Sequence, residues 1–163
     1  MITLNDTDYI YEEANRLKNN EELLDRQRLY QYLLDESKSD KRAAKSYLKV
    51  LMIHLLKCIY QPEKISRSWH QSIINSFYDF YDCINDSKVI QNYIHNNFDS
   101  IYDLARINAY YETNLSLNTF PIDSIFNFDD LINEDWISNF LNEHPTAEVL
   151  FAGLQELNMK IKE

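Results

Sequence analysis

Glycine and proline are scarce in this chain, which contains one glycine and three prolines in 163 residues. Tight β-hairpins and flexible linkers both depend on these residues, so neither is expected. Apolar residues make up 45% of the composition, which is ample for a core at this length. The composition therefore predicts an all-α fold, a single-domain bundle of six or more helices over residues 1–163.

Cysteine and long apolar runs are also scarce. Two cysteines in a chain of this length do not predict a disulfide scaffold. No apolar run approaches the roughly 20 residues that a membrane-spanning helix needs, and residues 1–7 lack the basic and apolar regions of a signal peptide. We therefore expect a cytoplasmic protein with no membrane contact.

The apolar pattern that is present centres on one helix followed by a corner. Apolar residues recur there at spacings of three and four, which predicts a buried helical stripe: Ala44, Leu48, Leu51, Leu55 and Ile59. Pro62 has no backbone N–H and restricts the residue before it, so residues 61–65 should form a corner. Ser66 is placed to cap the next helix.

Periodicity and capping residues predict the remaining helices. We expect a first helix at about 9–18 and a second from Glu21–Glu22 to about residue 34. A third begins at Asp40 and contains the central stripe, and a fourth spans 67–84. After a turn at 85–87, a shorter helix ends at about residue 96, and another begins at Asn97 or Asp99. Residues 35–40 should break the second of these. A loop at 113–125 should bury Phe120, one or two short helices should follow at 128–140, and Thr146 should cap a last helix to about residue 162. The expected inward residues are Trp69, Ile73, Phe77, Phe80, Tyr81, Ile84, Ile101, Leu104, Ala105, Tyr111, Val149, Leu150, Leu154, Leu157 and Ile161.

Several motifs occur in a fixed order. They read His54-Leu-Leu-Lys57, Tyr60-Gln-Pro-Glu63, Ser66-Arg-Ser-Trp69 and Glu112-Thr-Asn-Leu-Ser-Leu-Asn-Thr-Phe-Pro121, with weaker matches at Ser39–Arg42 and Asp135–Ile137. This set resembles the signature of the bacterial "domain of unknown function" family numbered twenty-nine over about residues 8–137. The resemblance implies a small α-helical domain without an assigned activity, and a C-terminal helical extension at 138–163. The motif residues are His54, Lys57, Gln61, Pro62, Arg67, Trp69, Glu112, Phe120 and Pro121.

Candidate chemistry among these residues is sparse. His54 and Cys58 lie four apart on one helix face, a spacing that can hold a metal ion. Both lie in an apolar stretch, and the family usually has Trp at the position of Cys58, so a core histidine is the expected role. The family also tends to carry several Glu residues on the second helix, where this chain has Gln27, Gln31 and Tyr32. We therefore predict no metal, no cofactor and no catalytic residue.

Charge is distributed unevenly along the chain, whose net charge is −10. Residues 38–67 hold eight of the sixteen basic residues and two acids, whereas residues 68–159 hold fourteen acids and two basic residues. The basic ridge comprises Lys38, Lys41, Arg42, Lys45 and Lys49. Such charge runs are often solvated faces, and the basic helix could simply pair with acidic neighbours.

Three functions remain open on this basis. The acidity favours a protein-interaction module that binds a basic protein, either as a neutraliser of the antitoxin or immunity type or as an adaptor. Its predicted binding residues are Asp129, Asp130, Glu134, Asp135 and an exposed Trp136. One alternative is an enzyme with a pocket near His54, Arg67 and Glu112. The other is a nucleic-acid-associated protein that uses the basic ridge, which the overall negative charge disfavours. The sequence leaves the oligomeric state open.

Overall fold

The computed structural model describes residues 6–19, 25–85 and 87–152. All regular structure in these ranges is helical, which confirms the all-α prediction. The chain divides into two compact units, Met1–Asp40 and Lys41–Glu163. The α-helices are α1 (Asp6–Lys18), α2 (Arg26–Tyr60), α3 (Arg67–Asn85), α4 (Lys88–Asn96), α5 (Phe98–Thr113) and α6 (Glu134–Glu143). Short 3-10 helices occupy Pro62–Lys64, Leu117–Thr119 and Asp130–Ile132.

In the unit Met1–Asp40, the carboxylate of Glu13 joins α1 to the start of α2. Glu13 is buried, and its Oε1 accepts a hydrogen bond from Arg16 Nη1 at 2.8 Å. Its Oε2 accepts from the backbone N–H of Asp25 at 3.2 Å. The Asp25 carboxylate in turn accepts from the backbone N–H of Arg28. Asp25 therefore caps α2, whereas the predicted start at Glu21–Glu22 lies outside the described residues.

The predicted break at residues 35–40 is wrong. α2 is one helix of 35 residues that runs through this polar stretch, and Asp40 lies inside it rather than capping a new helix. Asp35 accepts hydrogen bonds from Gln31 and from Lys38, at spacings of four and three residues. These contacts between neighbouring helical turns suit an exposed helix surface, so a lack of apolar residues does not require a helix end.

In the unit Lys41–Glu163, the predicted stripe of α2 forms the centre of the core. Ala44, Leu48, Leu51 and Leu55 are fully buried, and Ile59 is partly buried against them. α3, α4 and α5 supply most of the other core side chains, and the residues after α5 add Phe120, Phe126, Leu131, Ile137 and Phe140. This contiguous apolar cluster is what holds the helices of the unit together.

The predicted corner at Pro62 is confirmed. α2 ends at Tyr60, and Pro62 begins a single 3-10 turn. Ser66 then caps α3, since its hydroxyl lies 3.4 Å from the backbone nitrogen of Trp69. The corner also meets the C-terminal part of the chain, where Ala147 donates a backbone hydrogen bond to the carbonyl of Ile65 at 2.9 Å.

On α3 and α5, three residues predicted to face inward are exposed instead: Tyr81, Leu104 and Tyr111. α5 turns a neighbouring face to the core, because Ile101, Tyr102, Ala105 and Ala109 are the residues that it buries. An apolar side chain of α5 can lie on either face, so identity alone did not distinguish the covered face from the exposed one.

The loop after α5 is anchored as predicted. Phe120 is buried, and its ring meets the ring of Tyr60 edge-on at 5.3 Å. The Tyr102 hydroxyl donates to the carbonyl of Pro121 at 3.0 Å. The short helices predicted for 128–140 are also present, as the 3-10 turn Asp130–Ile132 and α6.

Only the beginning of the predicted C-terminal helix falls in the described part of the chain. Residues 147–152 are helical, and the backbone carbonyl of Thr146 accepts from Val149 and Leu150. Val149 and Leu150 are exposed there, contrary to the expectation that they face inward. The positions of Leu154, Leu157 and Ile161 lie outside the described residues. No helix within the described ranges is long and apolar enough to cross a membrane.

Candidate functional site

Three motif residues from different helices meet around the ammonium group of Lys57. Lys57 lies in the last turn of α2, and its side chain is only 8% exposed. Its Nζ lies 2.7 Å from Glu112 Oε2 at the end of α5 and 4.3 Å from the centre of the Trp69 ring at the start of α3. The Lys57 charge is therefore held by a charge-assisted hydrogen bond and by a cation–π contact. We call His54, Lys57, Trp69 and Glu112 the motif cluster.

His54 lies one turn before Lys57, and its ring centre is 6.5 Å from that of Trp69. Burial and the nearby Lys57 charge lower the pKa of His54 to about 4, although the Glu112 carboxylate acts in the opposite direction. The imidazole is therefore neutral at neutral pH. Its Nδ1 is buried and has no hydrogen-bond partner among the described residues, so it is a buried polar atom that a small ligand could satisfy.

The residues around Glu112 shape the end of α5. The Thr113 hydroxyl donates to the carbonyl of Ala109 at 2.7 Å, and the Thr113 carbonyl accepts from Gln61 Nε2 at 3.3 Å. Asn114 adopts a left-handed conformation with φ of 57°. Glycine and asparagine tolerate this conformation best, so asparagine suits this position at the end of α5.

Arg67 takes a different partner from the motif cluster. It pairs with Glu148 at 3.3 Å, and its side chain is 86% exposed. The structure thus brings His54 and Glu112 together around Lys57, and it engages Arg67 near the C-terminal part of the chain. An exposed ion pair of this kind contributes little stability.

Cys58 is fully buried, and burial raises the pKa of its thiol to about 12. The thiol therefore keeps its proton at neutral pH, which makes it a poor nucleophile and a poor metal ligand. Within the described ranges, no group of three or more His, Cys, Asp or Glu side chains could hold a metal ion.

The five residues of the basic ridge all lie on α2. Lys38, in the unit Met1–Asp40, pairs with Asp35 at 3.1 Å. The other four belong to the unit Lys41–Glu163, where Lys41 lies 5.7 Å from the centre of the Tyr93 ring. Part of this positive charge is therefore engaged on the surface of the chain itself, which reduces what is available for a polyanion.

The predicted binding residues lie together at the start of α6, and we call Asp129, Asp130, Glu134 and Asp135 the acidic surface. The Tyr78 hydroxyl donates to Glu134 Oε1, and Asn127 Nδ2 donates to Asp130 at 3.1 Å. None of the four carboxylates forms an ion pair with a residue in the described part of the chain. Trp136 was predicted to be exposed, but it is partly buried. Its ring stacks on the ring of Phe140, with the ring centres 5.5 Å apart.

Two members of the acidic surface, Asp129 and Glu134, line a cavity of about 390 Å³ between α3 and the start of α6. We call it the α3–α6 cavity. Its other lining residues are Phe77, Tyr78, Tyr81, Ile132 and Asn133. Periodicity did not reveal this cavity, because Tyr81 was expected in the core and is exposed, whereas Phe77 is buried as expected. The available signal was that the aromatic residues of α3 at positions 77, 78, 80 and 81 cover more of the helix circumference than one buried face can hold.

The fold and the site define an all-α protein whose motif residues build a half-buried ion pair and whose acidic surface borders a cavity. The chain belongs to the family described as "Domain of unknown function DUF29", whose model matches residues 5–137. No curated protein and no solved structure matched the chain. The family resemblance drawn from the motifs is thereby confirmed.

Proposed function

We propose that this chain is a non-catalytic, cytoplasmic protein-interaction module that binds a basic protein through the acidic surface. Neutralisers of the antitoxin or immunity type and adaptors are the two subclasses that fit. The observation that carries the proposal is that Asp129 and Glu134 border a cavity beside the exposed rings of Tyr78 and Tyr81. Exposed aromatic rings next to carboxylates are suited to a cationic partner, because both attract positive charge.

The absence of internal compensation supports this role. Carboxylates that simply balanced the basic ridge would form ion pairs with it, but the four members of the acidic surface form none with the described residues. Carboxylates held close together repel one another, which costs stability when nothing offsets the charge. A basic partner would offset it.

Local helix chemistry accounts for only part of the acidic surface. Glu134 and Asp135 lie in the first turn of α6, where negative charge favours the helix. Asp130 opens a 3-10 turn and accepts from Asn127. Asp129 is exposed, and no residue in the described part of the chain forms a hydrogen bond or ion pair with its carboxylate. It is therefore the residue whose charge local structure explains least.

The test is capture of the partner with a matched control. Three tagged proteins would be cross-linked in nuclease-treated native extract: the parent, a surface variant with Asp129→Asn, Asp130→Asn and Glu134→Gln, and a control with Asp82→Asn, Asp123→Asn and Glu143→Gln. The control removes the same charge from three exposed carboxylates that do not line the α3–α6 cavity. We expect the parent and the control, but not the surface variant, to capture one basic protein that can be identified. In purified form, that protein should bind the purified parent. Equal recovery with all three proteins would contradict the proposal.

The enzyme alternative rests on the motif cluster, where a neutral His54 with an unpartnered Nδ1 lies near Lys57 and Glu112. It ranks second because Lys57 and Glu112 neutralise each other and Arg67 is paired with Glu148. The test of this alternative is to mix the purified protein in solution with libraries of small molecules and to follow the NMR signals of the His54 ring. A compound that shifts the His54 signals and is chemically altered would favour catalysis.

A further inference from the structure

The α3–α6 cavity has an aromatic wall built by one helix. Phe77, Tyr78 and Tyr81 lie on adjacent turns of α3, with ring centres 5.2 Å apart for Phe77 and Tyr78 and 5.9 Å apart for Phe77 and Tyr81. Phe77 is buried, whereas Tyr78 and Tyr81 are 46% and 38% exposed. The wall therefore combines a fixed apolar base with two ring surfaces that a ligand can reach.

The opposite wall carries negative charge. Asp129 and Glu134 line it, and the Tyr78 hydroxyl donates to Glu134 Oε1. This hydrogen bond, with the Glu134 charge, raises the pKa of Tyr78. It also connects the two walls, because it fixes the carboxylate of Glu134 beside an aromatic ring. Among the described residues, one oxygen of Glu134 and both oxygens of Asp129 have no partner and could accept hydrogen bonds from a ligand.

Aromatic faces and carboxylates together select a cation. A bare metal ion fits poorly, because no group of three potential metal-ligating side chains exists among the residues that the structure describes. An organic cation with a flat face fits better. A guanidinium group can stack on a tyrosine ring and donate two hydrogen bonds to a carboxylate, whereas an ammonium group is more strongly hydrated and has no flat face.

We propose that the α3–α6 cavity receives an arginine side chain of the basic partner. This inference rests on the proposed function and names the group that the acidic surface recognises. The guanidinium group lies between the rings of Tyr78 and Tyr81 and the carboxylates of Asp129 and Glu134. The neighbouring Asp130 and Asp135 attract other basic residues of the same partner and speed the encounter.

A second cavity of about 220 Å³ provides an internal comparison. It is also acidic, with Asp99, Asp103 and Asp123 among its lining residues, and its aromatic residue is Tyr102. Tyr102 is buried and its hydroxyl is bonded to Pro121, so it offers no ring face for stacking. Asp103 is also paired with Arg106 at 3.7 Å. Acidity is therefore common to both cavities, and the exposed tyrosines distinguish the α3–α6 cavity.

The test titrates the full chain with N-acetyl-arginine amide and follows aromatic and backbone NMR signals. N-acetyl-lysine amide has the same charge, and N-acetyl-citrulline amide has nearly the same shape without the charge. We expect saturable shifts at Tyr78, Tyr81 and Glu134 with the arginine probe. The dissociation constants of the lysine and citrulline probes should be higher than that of the arginine probe by about tenfold or more. Glu134→Gln and Tyr81→Ala should each weaken arginine binding by about tenfold or more, and Asp123→Asn should not. Near-equal binding of the arginine and lysine probes, or shifts that do not saturate, would overturn the inference.

The same proteins separate this inference from the proposed function. If the arginine probe fails to bind while the surface variant still loses the basic partner, the cavity is not the recognition site but the acidic surface is. If the arginine probe binds as expected and the partner binds the surface variant normally, the cavity is an arginine site and the proposed function is wrong.

Discussion

Lys57 carries a buried charge that is paired with one carboxylate, that of Glu112. Glu112→Gln leaves the ammonium group beside a neutral amide, and it should lower the free energy of unfolding by about 1 to 2 kcal/mol. The cost stays below that of breaking a fully buried pair, because the Glu112 side chain is 45% exposed. Urea unfolding at neutral pH is the measurement.

The matched variant is Lys57→Met, which removes the charge and keeps an unbranched side chain against Trp69. It should cost less than Glu112→Gln, because the carboxylate that it leaves behind is already half in water. The double variant should resemble Lys57→Met alone. If Lys57→Met proves the more destabilising of the two single variants, the stabilising role assigned to Glu112 is wrong.

The burial of His54 predicts that the free energy of unfolding depends on pH. Its pKa is about 4 in the folded chain and 6.5 as the ordinary value, so folding favours the neutral ring. The stabilisation is complete above pH 6.5 and is lost as the pH falls from 6.5 through 4. Relative to His54→Gln, the parent should lose up to about 3 kcal/mol more between about pH 7 and about pH 4.

Urea unfolding across this pH range measures the difference, and comparison with the variant removes the contributions of the other histidines and carboxylates. Lys57 and Glu112 face His54 and remain in both proteins. Unfolding free energies that fall in parallel for the parent and for His54→Gln would show that His54 is not buried in its neutral form.

At the scale of helices, the sequence predicts elements well where one face is covered and poorly where none is. The stripe of α2 from Ala44 to Leu55, the corner at Pro62 and the burial of Phe120 follow from apolar spacing and proline geometry, and all three are present. Residues 35–40 contain no apolar side chain, so a periodicity argument finds no helix there. Glu36 and Lys38 are nevertheless good helix formers. Together with the exposed hydrogen bond between Asp35 and Lys38, they are sufficient for the helix to continue through this stretch.

The continuity of α2 can be tested at Ser39, which is exposed in the middle of the predicted break. Ser39→Pro removes a backbone donor and places a ring against the preceding turn, at a cost of about 3 kcal/mol in a helix interior. We expect helical circular dichroism to fall and hydrogen exchange to rise around the substitution. Ser39→Ala is the control and should be neutral or slightly stabilising. An unchanged spectrum in the proline variant would mean that residues 35–40 form a break after all.

The candidate site shows the same division between what sequence can and cannot give. Motif resemblance selects Lys57, Trp69 and Glu112, but 55 positions separate Lys57 from Glu112 and no spacing rule pairs residues so far apart. The cavity beside the acidic surface is harder still. Phe77 and Tyr81 are both aromatic, and only the packed structure shows that one is buried and the other exposed.

For the molecule as a whole, uneven charge is the property that ties structure to the proposed function. Residues 68–159 contain fourteen acidic residues and two basic ones. This charge produces a long-range negative field. Under the proposed function, the field attracts the basic partner at low salt, and the attraction weakens as salt screens it. Two carboxylates of the acidic surface, those of Asp129 and Glu134, line the α3–α6 cavity, where the proposal places the arginine side chain of the partner.

The most direct measurement is the association rate of the identified basic partner with the parent, the surface variant and the matched control, each at several salt concentrations. We expect the surface variant to associate about tenfold or more slowly at low salt, with a smaller difference as salt rises. Its melting temperature should stay close to that of the parent, because relief of carboxylate repulsion offsets the loss of negative charge in the first turn of α6. The matched control should associate at nearly the parent rate. A surface variant that melts at a lower temperature and binds at the parent rate would contradict the account, because the carboxylates would then serve the fold and not a partner.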